Sequence, residues 1–370
     1  MSNRPKDLDA NVVTIDDLKK QAEKKLPVTL KDYYNLGAGE LQTLHDNEAA
    51  YDRYRLRPRV LCDVDNVDTS TYIFGTRVSM PFGLAPAAAH KLAHPDGEIG
   101  SSRAAAAHGI AMCLSAWATS EIEEVIKAGG DNPYAMQVTF FRDRGITKRI
   151  IQEAEKAGYK ALFVGVDHPI LGHRFNETRN NFKFPDGIRF PIIANGEGET
   201  GLKENYNREF DPTLRWEETI AWLRQNTKLE IWLKGVCAPE DIQLAIDHGV
   251  DGVVISNHGG RQLDGVPATL DSLRVCAQVA RGRIPLAIDG GIRRGADIFK
   301  ALALGATMCF AGRIPIWGLA YNGEKGVQLG IEVLYGELKR TMALMGCKTI
   351  SDISSDHLVV LGANGLLAKL

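Results

Sequence analysis

Eight short apolar runs recur along the chain after Pro81, each followed by a longer stretch rich in Ala, Leu, Glu and Lys. They are Phe82–Ala85, Ala111–Ser115, Tyr134–Val138, Ala161–Val166, Glu230–Lys234, Gly252–Ser256, Pro285–Asp289 and Thr307–Ala311. Runs this short and this continuously apolar read as strands buried on both faces, the condition of a parallel sheet covered by crossover helices. The intervening "SEIEEVIKAG", "TKRIIQEAEKAG", "APEDIQLAIDHG" and "GADIFKALALG" are helical in character and end in glycine, as a helix leading into the next strand does. Eight such units close most economically into a (β/α)8 TIM barrel, with a doubly wound sheet as the alternative.

The 370 residues accommodate one such barrel, about 250 residues, plus extensions. The expected layout is a single domain over 1–370: a helical N-terminal segment (1–74), the barrel (75–345) and a C-terminal tail (346–370). More than 60 residues separate the fourth run from the fifth, and residues 176–212 within them read as a lid loop over the site. Gly196, Gly198 and Gly201 spell GxGxxG there. Glu197 and Glu199 would repel a pyrophosphate and no amphipathic helix follows closely, so a dinucleotide fingerprint is rejected.

Composition excludes several function classes. A net charge of −2 suggests neither a nucleic-acid surface nor a polybasic membrane patch. No stretch reads as a membrane span, and the N-terminus lacks the apolar core of a secretory signal. The six cysteines are scattered without a CxxC, which points to a reducing compartment and away from sulfur-bound metal. His90 and His94 are read as loop histidines, no GxSxG hydrolase motif is present, and no metal site is expected. The chain ends in Ala-Lys-Leu, close to the peroxisomal Ser-Lys-Leu, so a peroxisomal location is expected, otherwise a cytoplasmic one.

Active sites of these barrels sit where strands end and loops begin. Polar or breaking residues stand at all eight ends: Pro86-Ala87-Ala88, Ser115 with Trp117, Gln137 with Thr139, Asp167, Lys234, Ser256 with His258, Asp289-Gly290-Gly291, and Gly312-Arg313. "IDGGIRRGAD" and "FAGR", after strands seven and eight, combine glycines and arginines with a following helix, the chemistry of a phosphate cradle. His258 with Arg261 suits an acid substrate, the guanidinium gripping a carboxylate while the imidazole moves a proton. Asp167 could orient that imidazole, and Lys234 could serve as a Schiff-base amine or a fixed charge.

The segments "SNHGGRQLDGVPATL", "WLKGV", "LAIDGGIRRGADIFKALALGA" and "FAGR" closely resemble the FMN-dependent 2-hydroxy-acid oxidases and dehydrogenases, the glycolate oxidase family. The likeness runs from "LPVTLKDYYNLGAGE" to "TMALMGCKTISDI". It implies bound FMN, oxidation of an (S)-2-hydroxy acid with O2 as acceptor, and a homo-oligomer (tetramer or octamer). His258 then looks like the base and Asp167 its partner. Tyr33, Arg261 and Arg174 resemble a carboxylate clamp, Trp117 a substrate-side ring, and Lys234 a fixed charge against the flavin. Gly290, Gly291, Arg293, Gly312 and Arg313 resemble the phosphate cradle, Asp289 a ribityl contact, and Pro86, Ala87, Ala88, Ser115, Gln137 and Ser256 flavin contacts. Within the family the alternative is a dehydrogenase or biosynthetic oxidase acting on a larger, atypical 2-hydroxy acid, and two rivals of other classes remain: a Lys234 Schiff-base lyase acting on a phosphorylated substrate, and a non-catalytic flavin-binding protein.

The departures cluster. Where the family usually carries Gln-Leu-Tyr, this chain has Gln137-Val138-Thr139, and Gly165 stands where a threonine is usual. These changes lead to the expectation of a void at Thr139 and a preference for longer or aromatic 2-hydroxy acids over glycolate.

Overall fold

The computed structural model describes residues 9–194, 210–361 and 367–369. Strands β1 (Phe82–Leu84), β2 (Ala111–Ser115), β3 (Tyr134–Val138), β4 (Ala161–Gly165), β5 (Glu230–Val236), β6 (Gly252–Ile255), β7 (Leu286–Asp289) and β8 (Met308–Ala311) form a closed parallel barrel. Each pairs with the next, and β8 closes on β1 through the Cys309–Phe82 and Ala311–Leu84 registers. All eight expected runs are these strands, shifted by two residues at most, so the (β/α)8 architecture holds.

The helices follow from local chemistry. Arg144–Ala157, between β3 and β4, starts where the Asp143 side chain accepts from the Gly145 N–H, and it stops at Gly158 in the left-handed region. Its Thr147, Ile150, Ile151 and Ala154 form the buried face. The helix after β8, Arg313–Met345, is interrupted at Asn322–Gly323, where Gly323 takes a φ of 57°.

Inside the barrel, alanines (Ala111, Ala135, Ala161, Ala287) alternate with bulky Phe163, Trp232 and Phe310. Small residues leave the radius that the large rings fill, which makes the interior a packed core rather than a pore. One feature of the N-terminal segment differs from expectation. It is not wholly helical: after the helices Ile15–Lys25, Val28–Asn35 and Gln42–Arg53, an antiparallel hairpin (Thr71–Ile73 with Thr76–Val78) places Phe74 against Phe163 and Trp232. Three-residue strands with exposed outer positions carry almost no periodic signal. The tail strand Leu358–Leu361 pairs with Tyr54–Leu56 and with Leu367–Lys369.

The central part of the expected lid, residues 195–209, together with the GxGxxG glycines, lies outside the described residues, as does Leu370 of the Ala-Lys-Leu ending. Among the described residues no helix is long and apolar enough to cross a membrane.

Candidate active site

The C-terminal ends of the strands surround a cavity of about 1300 Å³, mouth included. Every site residue singled out in the sequence lines it except Asp167 and Ser256, which stand behind His258 and Lys234 and bond to them.

The loop after β6 presents His258. His258, Gly259 and Gly260 take φ values of 58°, 63° and 74°, three left-handed residues in a row, of which two are glycines. A Cβ at Gly260 would meet the Leu44 backbone nitrogen at 2.7 Å, so the helix Gln42–Arg53 packs directly on this turn. Asn47 on that helix exchanges paired side-chain hydrogen bonds of 2.9 Å with Asn257. Asn47 thus holds the loop that carries His258, and only the fold reveals it, because Asn47 and Asn257 are 210 residues apart.

His258 Nδ1 lies 3.2 Å from both Asp167 oxygens. That bond assigns the proton to Nδ1 and leaves Nε2 as a lone pair without a protein partner among the described residues. Burial alone would raise the Asp167 carboxyl, but its neighbours His258, His168 and Lys234, through hydrogen bonds and electrostatics, hold it well below the usual carboxylate range. His258 itself sits below the ordinary histidine value: enclosure in the site outweighs Asp167, and Lys234 pushes the same way. The pair is therefore a neutral imidazole backed by an ionised carboxylate.

Lys234 Nζ lies 3.1 Å from Asp289 and 3.0 Å from Ser256 Oγ, and Ser256 Oγ in turn donates to Asp289 at 2.6 Å. Burial works against its charge, but Asp289 and Asp167 reverse the sign and raise it. A Schiff-base lysine has to lose its proton at working pH. Lys234 is built to keep it, so of the two sequence readings the fixed charge is the one that fits.

On the outer side, Arg261 lies over the Tyr33 ring and donates to the Tyr33 and Leu36 carbonyls. Arg261 and Arg174 also converge on the Glu177 carboxylate, at 3.4 and 3.3 Å. One acid between two guanidinium groups leaves one net positive charge facing the cavity. Phe182 and Phe184 pack on Tyr33, while Phe190 and Phe210 pack on Trp117.

The expected void at Thr139 does not exist. His168 fills it: its Nε2 lies 3.1 Å from Thr139 Oγ1 and its Nδ1 3.1 Å from Asp167 Oδ1, with the Phe210 ring perpendicular beside it. Gly165 is what admits the imidazole, since a Cβ there would come within 2.1 Å of His168 Cε1. The preference for larger acids was argued from that void and loses its basis. The neighbouring Phe140 and Phe141 rings pack against Trp222 and Trp117.

At the opposite end, Gly290 and Gly291 turn with φ values of 98° and 78°, and a Cβ on Gly291 would fall 1.9 Å from the Asn47 carbonyl oxygen. No side chain fits there, so bare backbone faces the cavity. Arg313 is held by the Tyr34, Gly259 and Leu36 carbonyls, and burial followed by the charges of Arg261 and Arg293 pushes it down to about 9. Arg293 carries a buried Nε with no hydrogen-bond partner among the described residues. Crowded arginines beside a bare glycine turn, with one donor unsatisfied, are a site that calls for an anion. The residues present fit the FMN phosphate. The slot between this end and His258, walled by Ala85, Pro86, Ala87 and Ala88 and edged by Lys234, fits its ring.

Residues 22–360 match the model of the FMN-dependent dehydrogenase family. The chain is 49% identical to "Oxidase FUB9" of Fusarium oxysporum f. sp. lycopersici (97% of this chain, 94% of that one). It is 43% identical to human "2-Hydroxyacid oxidase 1" (92% and 95%). Among solved structures it resembles a mandelate oxidase with (S)-4-hydroxymandelic acid, with a TM-score of 0.88 at 34% identity over 94% of this chain and 98% of the other. The match over nearly the whole chain, on a barrel whose cavity suits a flavin phosphate, makes this protein an FMN-dependent oxidoreductase of the FMN-dependent dehydrogenase family.

Proposed function

We propose that the protein oxidises an (S)-2-hydroxy acid to the 2-oxo acid with His258 as base and O2 as the final acceptor. The observation that carries this reading is the neutral His258 imidazole, its Nε2 unbonded, backed by ionised Asp167 and set between an arginine clamp and a cofactor slot. Arg261, Arg174 and Tyr33 bind the substrate carboxylate, and the convergence of both arginines on Glu177 supports that role. His258 Nε2 takes a substrate proton, and Asp167 stabilises the imidazolium so formed. Arg293, Arg313 and the Gly290–Gly291 turn hold the phosphate. Lys234, paired with Asp289, sets a positive charge beside the ring. When bound, FMN supplies the two-electron acceptor, and O2 taking those electrons yields hydrogen peroxide. Peroxisomal residence and a homo-oligomeric assembly accompany this reading as proposals, supported by the peroxide chemistry and by the family resemblance.

Anaerobic addition of glycolate, lactate, 2-hydroxyoctanoate and mandelate to the FMN-loaded protein tests the reading. At least one should bleach the flavin absorbance, and a yellow protein that none of them bleaches overturns it.

Two further outcomes are expected. Because the active form is neutral His258 and its pKa is lowered, kcat/KM should stay level at neutral pH and fall about tenfold per unit only below the ordinary value of 6.5. A rate that climbs between pH 7 and 5 contradicts the assignment. Arg293→Met removes a charged donor from the phosphate end, and a hydrogen bond to a charged group contributes about 1.5–3 kcal/mol. FMN affinity, followed by quenching of flavin fluorescence, should drop about 10- to 150-fold. Unchanged affinity would place the phosphate elsewhere.

A further inference from the structure

Asp167 accepts hydrogen bonds from two imidazoles at once. His258 Nδ1 stands 3.2 Å from each of its oxygens, and His168 Nδ1 stands 3.1 Å from Oδ1. The second imidazole is itself anchored. Gln137 Nε2 donates to Thr139 Oγ1 at 3.2 Å, and the Thr139 hydroxyl then has its proton to give to His168 Nε2 at 3.1 Å. Gln137 Oε1 accepts from the Ala116 N–H and the Ser115 hydroxyl, which fixes which end of the amide donates. Every proton in the row Gln137–Thr139–His168–Asp167 therefore points toward the carboxylate. With Nε2 accepting and Nδ1 donating, His168 offers no lone pair to a substrate.

We propose that His168 is a positioning residue for the base, acting through Asp167: it holds the carboxylate in place for His258 and takes up part of its charge, so that His258 stays neutral and available. The inference rests on the reading of His258 as the base. Three features of this chain support it jointly. Thr139 is short enough to leave room for an imidazole and polar enough to orient it. Gly165 has no side chain, where a Cβ would land 2.1 Å from the ring. Gly235 of β5, on the other side of Asp167, takes a φ of 113°, and a Cβ there would fall 2.5 Å from the Asp167 side chain.

Sharing a carboxylate has a definite sign. A lone Asp167 would spend its whole charge on His258 and favour the imidazolium, whereas a second donor on Oδ1 withdraws part of that charge. The two rings are also neighbours, with centroids 5.5 Å apart. The other groups facing the pair are Lys234 with Asp289 on the strand side, Cys237 beyond them, and Arg261, Arg174, Glu177 and Tyr33 on the mouth side.

The test uses the FMN-loaded enzyme labelled with 15N-histidine, with His258 identified by its loss from the His258→Ala spectrum. In His168→Phe, which keeps a ring but no donor, the His258 titration midpoint should rise by about half to one pH unit. The acid limb of kcat/KM, measured with a 2-hydroxy acid that the enzyme oxidises, should rise with it. His168→Asn keeps an N–H near the place of Nδ1 and should return both midpoints most of the way. Should the phenylalanine variant fail to fold or to load FMN, His168→Ala carries the same test, because it removes the donor without adding bulk. A folded, FMN-loaded donorless variant with both midpoints unmoved overturns the proposal. Failure of the base reading looks different: the NMR midpoint would move in His168→Phe while the pH profile stayed put, and His258→Ala would keep its rate.

Discussion

His258→Ala should leave FMN bound and slow its reduction by a 2-hydroxy acid by about 10²–10⁴-fold, the usual contribution of a positioned base. The flavin should stay because the anion site, built from Arg293, Arg313 and the Gly290–Gly291 turn, belongs to other loops. The rate should go because His258 combines, among the described residues, a neutral imidazole, an unbonded Nε2 toward the cavity and an ionised carboxylate behind it. His168 cannot take over, since both of its nitrogens are engaged with Thr139 and Asp167. Stopped-flow absorbance under anaerobic conditions reads the step directly. Reduction at the parental rate would falsify the assignment of His258, whereas loss of flavin would show that the loop, not the proton transfer, had been damaged.

Lys234→Met is expected to have the largest effect on stability. Its ammonium and the Asp289 carboxylate are almost fully buried, 3.1 Å apart, with Ser256 bonded to both. Removing one partner of such a pair leaves a charge without compensation in the interior, a loss of about 3–5 kcal/mol. Among the described residues the partners of the Asp289 carboxylate are Ser256 and Lys234 themselves, so the loss of Lys234 leaves it with the Ser256 hydroxyl alone. In urea the transition midpoint of Lys234→Met should fall sharply. The double variant Lys234→Met, Asp289→Asn should recover part of the loss, since the stranded charge is gone. A single variant within about 0.5 kcal/mol of the parent, the range of an ordinary surface change, would show that Asp289 finds another partner.

The barrel was legible because its signal is repetitive. Each strand is a continuous apolar run, most of them preceded by a helix that ends at or beside a glycine, and eight repeats reinforce one another even where a single boundary is off by a residue or two. The cavity lining was legible for a related reason: in this architecture all eight strand ends converge, so polar residues at those ends can be gathered without knowing any distance. Phe74 shows where that logic stops. Its hairpin is two three-residue strands, and it enters the barrel only because the interior of Phe163 and Trp232 has room for a ring.

Asn47, Glu177 and His168 define the other limit. Asn47 bonds Asn257 across 210 residues, and Glu177 meets Arg261 across 84. No local pattern marks either as part of a site. His168 adjoins Asp167 in the chain, yet its meaning depends on Thr139, just past the end of β3, and Gly165, the last residue of the neighbouring β4. Read one at a time, a threonine and a glycine at strand ends suggest lost bulk and an open pocket. In space the same two residues make room for an imidazole and orient it. Strand periodicity and the chemistry of residue types are properties of the chain, and by themselves they determined the barrel, the cofactor end and the candidate base. Which side chain fills which volume, and which carboxylate serves two histidines, depends on close packing between segments distant in sequence, and only the tertiary structure decided it.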